Sequence, residues 1–333
     1  MLLRSLKTMN RRWFSALLLS VAAFAGPQVG FAAEPLKIGY SDWPGWVAWQ
    51  VAIDKDWFAE SGVAVKFEWF DYSASMDAFS AGKLDAVLVA NGDALVVGAS
   101  GAKNQIVLLT DYSAGNDMVI AKPGFKSIAD LKGKKVAAEM GLVDHFLLRN
   151  AMQRAGLKAG DITIVNAKTN ELPQVLASKD ISAVAVWQPV ANEAMKAVPG
   201  AKPIYTSADE PGLIYDALVV NPGSLKARRA EWQKVIAVWD RVVAYINDPK
   251  TQPDAVKIMA ARSGVTAAEY LPLLKGTHLL SLDEGRKAFV KATGYQSIYG
   301  STEIVNTFNW YNKVYPISQN VNSYIDPSLM GSK

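Results

Sequence analysis

The chain has 333 residues, half of them hydrophobic, which is enough for one large or two ordinary domains with sizeable cores. It has no cysteine, which excludes disulfides, thiolate nucleophiles, Cys-ligated zinc and a lipid-bearing cysteine, and only two histidines, His145 and His278, which leaves a His-based triad or metal site little to work with. The formal charge of +4 belongs to the start of the chain: Arg4, Lys7, Arg11 and Arg12 precede the first acid, Glu34, and without them 31 basic residues face 31 acidic ones, so nucleic-acid binding loses its electrostatic basis.

Those four cations are followed by the apolar run WFSALLLSVAAFAG and then by the small residues Gly30, Ala32 and Ala33. That order reads as a secretory signal peptide over residues 1–33, with the mature chain starting near Ala33 or Glu34, and the run is too short for a lasting membrane span. LKIGYS (36–41) then reads as a strand, 47–62 as a helix closed by Gly62, and 63–70 as an alternating strand with Val63, Val65, Phe67 and Trp69 on one face. A helix over 73–83 and the continuous apolar strand DAVLVAN (85–91) come next, then a helix at 94–100 and strands at 105–111 and 117–122. This βαβα rhythm predicts an open α/β sheet flanked by helices.

The rhythm restarts after Lys122-Pro123-Gly124: a short helix from Ser127, strand 136–140, helix 144–157, strand 162–166, helix 171–179 and strand 183–187. SAGKLDAVLVAN (80–91) and LASKDISAVAVWQ (176–188) echo each other, each running from a helix end through a polar turn into a buried strand, as two similar lobes would produce. Beyond them come a strand at 213–221 and a long amphipathic helix at 230–248. Its Trp232, Val235, Ile236, Trp239, Val242, Val243 and Ile246 form one core-facing stripe. The segment 251–314 reads as mainly helical and 315–333 as a surface-wrapping tail.

No dinucleotide, phosphate-loop, nucleophile-elbow or zinc-protease motif occurs, and neither a cofactor nor a metal is expected. In open α/β sheets ligands bind beyond the C-terminal ends of the strands. Those ends carry Asp42, Trp43 and Trp46 in SDWPGW, then Asp71 and Tyr72, Asn91 and Asp93, Glu139 before Asp144 and His145, Trp187, and Asp216 on the return strand. Carboxylates and aromatics recur there, and lysine and arginine do not. The candidate ligand-binding set is Asp42, Trp43, Trp46, Tyr72, Asn91, Asp93, Glu139, His145, Trp187 and Asp216. A helix N-cap is the alternative for Asp93 and Asp144, and inward packing is the alternative for Trp46 and, more so, Trp49. His278, in KGTHLL, reads as a packed or capping residue.

With these residues in view, the motifs KIGYSDWPGW, AGKLDAVLVANGDAL, SIADLKGKKVAAE and AVWQP, in this order, resemble the solute-binding proteins of ABC importers. They are similar to the nitrate/sulfonate/taurine branch, related to the thiamine-pyrimidine-precursor binders, over roughly residues 36–290. The resemblance implies a two-lobe periplasmic-binding-protein fold with the ligand between the lobes, crossings near 121–123 and 211–215, lobe one as 34–121 plus 213–333 and lobe two as 122–212. It also implies a periplasmic, monomeric protein that closes on a small solute and delivers it to a permease and its ATPase.

The resemblance implies nitrate or a sulfonate as ligand, but an anion site calls for arginine, lysine or several free helix N–H groups. The carboxylates at these strand ends favour a small nitrogen-containing solute, cationic (guanidinium, amidine or amine) or a neutral amide, with nitrate, taurine or an alkanesulfonate as the runner-up. A pyrimidine-precursor synthase of the same fold is the alternative class. It requires a cysteine-rich run that this chain lacks.

Overall fold

The computed structural model describes residues 34–331, so the expected signal peptide and its cleavage site lie outside the described residues. Two sheets organise the chain. In the first, β1 (Leu36–Tyr40) pairs in parallel with β2 (Val65–Trp69) and β3 (Ala86–Ala90), β10 (Tyr215–Val220) runs antiparallel between β3 and β4 (Gln105–Ser113), and β11 (Thr277–Leu279) closes the edge. In the second, β6 (Lys135–Ala138) pairs in parallel with β7 (Thr163–Asn166) and β8 (Ala183–Trp187), while β5 (Asp117–Ala121) runs antiparallel between β8 and β9 (Lys202–Thr206).

The orders β4-β10-β3-β1-β2 and β9-β5-β8-β6-β7 superpose term by term, each with one antiparallel strand in the same place. β3 and β8, the strands of the internal echo, hold equivalent positions. Both are buried at every residue, as strands covered on both faces require, whereas the edge strand β2 alternates Val65 and Phe67 with Lys66 and Glu68.

Strand pairing moves one boundary. The chain leaves the first sheet between Ser113 and Asp117 and returns between Thr206 and Tyr215, so the strand 117–121, read from the sequence as the end of lobe one, belongs to the second sheet. An apolar strand does not encode which sheet it joins; its partners, β8 and β9, come later in the chain. β9 and β11 are the two strands that pattern reading misses, β9 because it is an edge strand carrying Pro203 and β11 because it has three residues.

Fourteen helices connect and cover the sheets among the described residues. The expected helix over 47–62 is three pieces, α1 (Pro44–Val47), α2 (Trp49–Asp54) and α3 (Trp57–Glu60), with Asp56 left-handed at φ 54° between the last two. α4 (Tyr72–Ser80) and α5 (Asn91–Ala99) come after β2 and β3. α6 (Val143–Arg154), α7 (Leu172–Ala177) and α8 (Val190–Ala197) serve the second sheet. Then come α9 (Pro222–Ala227), α10 (Arg229–Asn247), α11 (Gln252–Arg262), α12 (Ala267–Lys275), α13 (Leu282–Ala288) and α14 (Ile298–Tyr311).

The α10 stripe is buried as its periodicity predicts, and Trp239 meets Trp49 with ring centroids 4.6 Å apart. The tail does more than wrap the surface. Val321, Tyr324, Ile325, Leu329 and Met330 join the core of the first sheet, and Ile325 bridges to Ile106. No helix among the described residues is long and apolar enough to cross a membrane.

Candidate functional site

The strand ends of the two sheets face each other, and the turn SDWPGW lies at their junction. Pro44 starts α1, and Trp43, just before it, points its indole inward to donate to Asp111 Oδ1 at 2.8 Å. Asp111 Oδ2 accepts from Thr110 Oγ1 at 2.9 Å. The same carboxylate lies against Gly45, where a Cβ would stand 2.0 Å from Oδ2. The Pro-Gly pair therefore does two jobs: proline begins the helix, and glycine leaves room for a buried acid from the neighbouring strand.

Behind this turn an aromatic box forms. Trp46 stacks on Tyr72 (5.3 Å between centroids, 23° between planes) and Trp187 meets the same tyrosine edge-on (5.0 Å, 83°). Tyr72 donates its hydroxyl to Asp93 Oδ2 at 2.6 Å and accepts the Ala90 N–H at 3.1 Å. The box encloses a cavity of about 10 Å³ lined by Trp43, Trp46, Tyr72, Trp187, Asp117 and Asp216 together with apolar residues. That is room for about one water, far below the ~300–1,000 Å³ of a typical drug-sized ligand site, so the walls must part to admit a solute of even a few heavy atoms. An outer cavity of about 60 Å³, lined by Asp42, Asp71, Glu139, Lys168 and Thr169 among others, shares Tyr72 and Trp187 with it and forms its mouth.

The electrostatics of the chamber are one-sided. Asp93, Asp111, Asp117, Asp144 and Asp216 are all buried, and no lysine or arginine lines the cavity. Asp117 Oδ2, Asp216 Oδ2 and both oxygens of Asp144 have no hydrogen-bond partner in the protein, and neither does the Trp46 indole N–H. Burial pushes Asp93 and Asp117 up to about 7 and Asp111 up to about 6. Asp144 and Asp216 go well up, first through burial and then through their acidic neighbours. Asp216 also stands opposite Asp111 in the β10–β4 pairing, so two buried carboxyl groups are neighbours and ionisation of both is disfavoured. Buried polar groups are normally paired, so open carboxylate oxygens in a walled cavity mark a place for donors from outside the chain.

The expected site residues divide. Trp43, Trp46, Tyr72, Trp187 and Asp216 line the chamber, and Asp93 adjoins it, bonded to Tyr72 and to the Val143 N–H at 3.3 Å. Asp42 and Glu139 sit at the mouth. Asp42 accepts from the Trp187 indole at 3.3 Å and is pushed by burial up to about 6, and Glu139 Oε2 accepts from the N–H and hydroxyl of Thr169 at 3.0 and 2.9 Å.

Two residues are not brought into the chamber. Asn91 fastens α5 to α14, donating to Ser301 and Thr302 at 3.1 and 3.0 Å. His145 turns behind α6 toward Phe308 and Arg149, and burial, then that guanidinium's charge, pushes it down to about 4. Neither Asp93 nor Asp144 is an N-cap, since α5 and α6 begin at Asn91 and Val143 and no side-chain cap bond forms at either helix. Trp49 packs in the core, and His278 stacks on Tyr112 and pairs with Glu284 at 3.2 Å. Sequence reading leaves Asp111, Asp117 and Asp144 out of the set. For the first two a signal was present, since each is a lone carboxylate within or at the start of an otherwise apolar buried strand.

Comparison with known proteins places this geometry. A putative binding protein of Brucella abortus is 33% identical over 204 residues, covering 60% of this chain and 62% of the relative, so the match spans less than two thirds of that protein. The taurine-binding periplasmic protein of Escherichia coli is 24% identical over 260 residues, covering 75% of this chain and 76% of the relative. The crystal structure of the periplasmic aliphatic sulphonate binding protein SsuA from Escherichia coli superposes with a TM-score of 0.71 at 19% identity, over 89% of this chain and 99% of that one. The two sheets are thus the two-lobe α/β fold of periplasmic binding proteins. A sequence model of the NMT1-like family matches residues 32–260, a stretch that contains every residue of the chamber, and the chain belongs to that family.

Proposed function

We propose that this protein is the exported solute-binding component of an ABC importer, capturing a small organic cation with N–H donors between its lobes and delivering it to a membrane permease and its ATPase. One observation carries the reading: a small aromatic-walled chamber holds buried carboxylates with open oxygens and no basic side chain. Protonated amines, amidines and guanidinium combine positive charge with the donors those oxygens lack, and the indole and phenol faces suit a cation. A neutral amide supplies the donors without the charge. A bare metal ion fits less well, because no group of three or more acidic or histidine side chains among the described residues is arranged to hold one. Closure of the lobes about the crossings at 114–116 and 207–214 would seal the chamber around its ligand.

The names of relatives such as the taurine-binding protein favour a second reading, an anionic sulfonate or nitrate. Against it stand the carboxylates, which repel an anion unless protonated. Calorimetry with guanidinium, acetamidinium, methylammonium, acetamide, taurine, methanesulfonate and nitrate separates the two. A cation should bind, and Asp216→Asn or Asp117→Asn should weaken it by about 1.5–3 kcal/mol, roughly ten- to hundredfold. Tight binding of taurine, methanesulfonate or nitrate that improves in Asp216→Asn would overturn the cation reading and leave the importer role standing.

A further inference from the structure

We propose that this chamber exchanges a proton for its cation: the unliganded protein stores protons among Asp93, Asp111, Asp117, Asp144 and Asp216, and capture of a cation releases one of them to solvent. The inference rests on the cation reading above and adds a regulation to that site, an affinity that rises with pH.

The geometry requires stored protons. Five buried carboxyl groups come from five elements, α5, β4, β5, α6 and β10, each at most 3% exposed, and two of them, Asp117 and Asp216, line the chamber itself. Carboxylates buried this deeply disfavour one another's ionisation. The groups around them offer little relief. Asp42 and Glu139 at the mouth are acids. Tyr72, on Asp93, and Tyr270, beside Asp111, have raised pKa values and stay neutral. His145 is held neutral by burial and by Arg149, which it faces on the far side of α6. Among the charged neighbours of Asp111, His278 favours its ionised form, from a partly exposed position already paired with Glu284. Lys168 lies exposed at the outer cavity. Asp216 and Asp111 are cross-strand partners in the β10–β4 pairing, and two buried carboxyl groups so placed favour at least one staying protonated.

Entry of one positive charge changes this balance. A cation at the open oxygens of Asp117 and Asp216 favours their ionised forms, and the chamber regains its former net charge when one proton leaves for each charge that enters. No bond is made or broken except the O–H of a carboxylic acid, whose proton passes to water or buffer. Linkage fixes the sign: release of one proton makes the association constant rise about tenfold per pH unit until the acids are fully ionised. A neutral ligand would leave affinity flat, and an anion would reverse the slope.

The test is calorimetry of the exported chain with guanidinium and methylammonium chlorides at non-denaturing concentration, in buffer pairs of different ionisation enthalpy at about pH 6 and about pH 8. The expected result is release of about one proton per cation at the lower pH, falling toward none at the higher, with affinity rising about tenfold per pH unit near the lower pH and levelling off toward the higher. Difference infrared spectra should show the carboxylic-acid C=O stretch disappearing as cation is added. Asp117→Asn should reduce both the proton count and the slope; if that variant does not fold, the wild-type count decides alone. Cation binding with no proton release and a flat pH profile overturns proton exchange and leaves the cation reading intact. Failure of both cations, with an anion binding instead, overturns both.

Discussion

Two regions of this protein bury carboxylates and treat them in opposite ways. Glu210, on the return crossing between the sheets, accepts from the hydroxyls of Tyr205 and Tyr295 at 2.7 Å each and from Asn150 Nδ2 at 2.8 Å, and pairs with Arg154 at 2.9 Å. Burial pushes Glu210 up, but the bonds from Tyr295, Tyr205 and Asn150, with the Arg154 charge, outweigh it and hold the group below its ordinary value. In the chamber, equally buried aspartates lack such donors, and their pKa values go the other way. The difference separates a carboxylate that holds a structure together from one kept open for a ligand: the first brings its donors with it, and the second has oxygens that nothing in the chain fills. Glu210 reaches α6, β9 and Tyr295 ahead of α14, so it ties the crossing to both sheets' helices.

The sharpest way to break this comparison is at Glu210. Glu210→Ala strands two tyrosine hydroxyls and an amide, and should destabilise the protein by about 2–4 kcal/mol in denaturant unfolding, with Arg154 contributing little because it is more than half exposed. A loss below about 0.5 kcal/mol would mean that the cluster is ornamental. Gly45→Ala comes second, since its Cβ would strike the Asp111 carboxylate; overpacking there should cost about 1–3 kcal/mol and weaken ligand binding by displacing Trp43. A stable variant with full binding would show that the turn adapts.

The pH dependence of the unliganded protein sets the two regions against each other directly. The chamber acids have raised folded-state values, so the native state holds protons that the unfolded chain gives up between about pH 4 and pH 7, and their contribution to stability falls as pH rises through that window. Glu210 has a lowered folded-state value, so its contribution is present above its unfolded value and is lost as pH falls through the folded one. Scanning calorimetry should therefore find the melting temperature higher at about pH 5.5 than at about pH 7.5, by a few degrees, and Asp117→Asn should flatten that slope. The smallest effect belongs to Ser41→Ala at the end of β1. Its buried hydroxyl has no partner, so removing it should change stability by less than about 1 kcal/mol and in the favourable direction. A clear loss would reveal a partner for that oxygen.

Sequence by itself determined the alternation of strands and helices, the core stripe of α10, the twofold echo in β3 and β8, and the concentration of acids and aromatics at strand ends without basic residues. Each of these is written locally, in the period of apolar residues or in the polar and aromatic side chains just past the end of a buried strand. Tertiary structure decided the rest. The membership of β5 in the second sheet depends on β8 and β9, more than sixty residues further on. Asn91 and His145 occupy the expected strand-end segments yet turn toward α14, because the direction of a side chain in a helix's first turn is set by what packs against that helix. Asp111 and Asp117 become chamber residues only when the crossing strands carry them beneath the SDWPGW turn. A buried acid in an apolar setting announces that something must satisfy it, and only the fold determines whether that partner belongs to the chain, as at Glu210 in the crossing, or comes from outside.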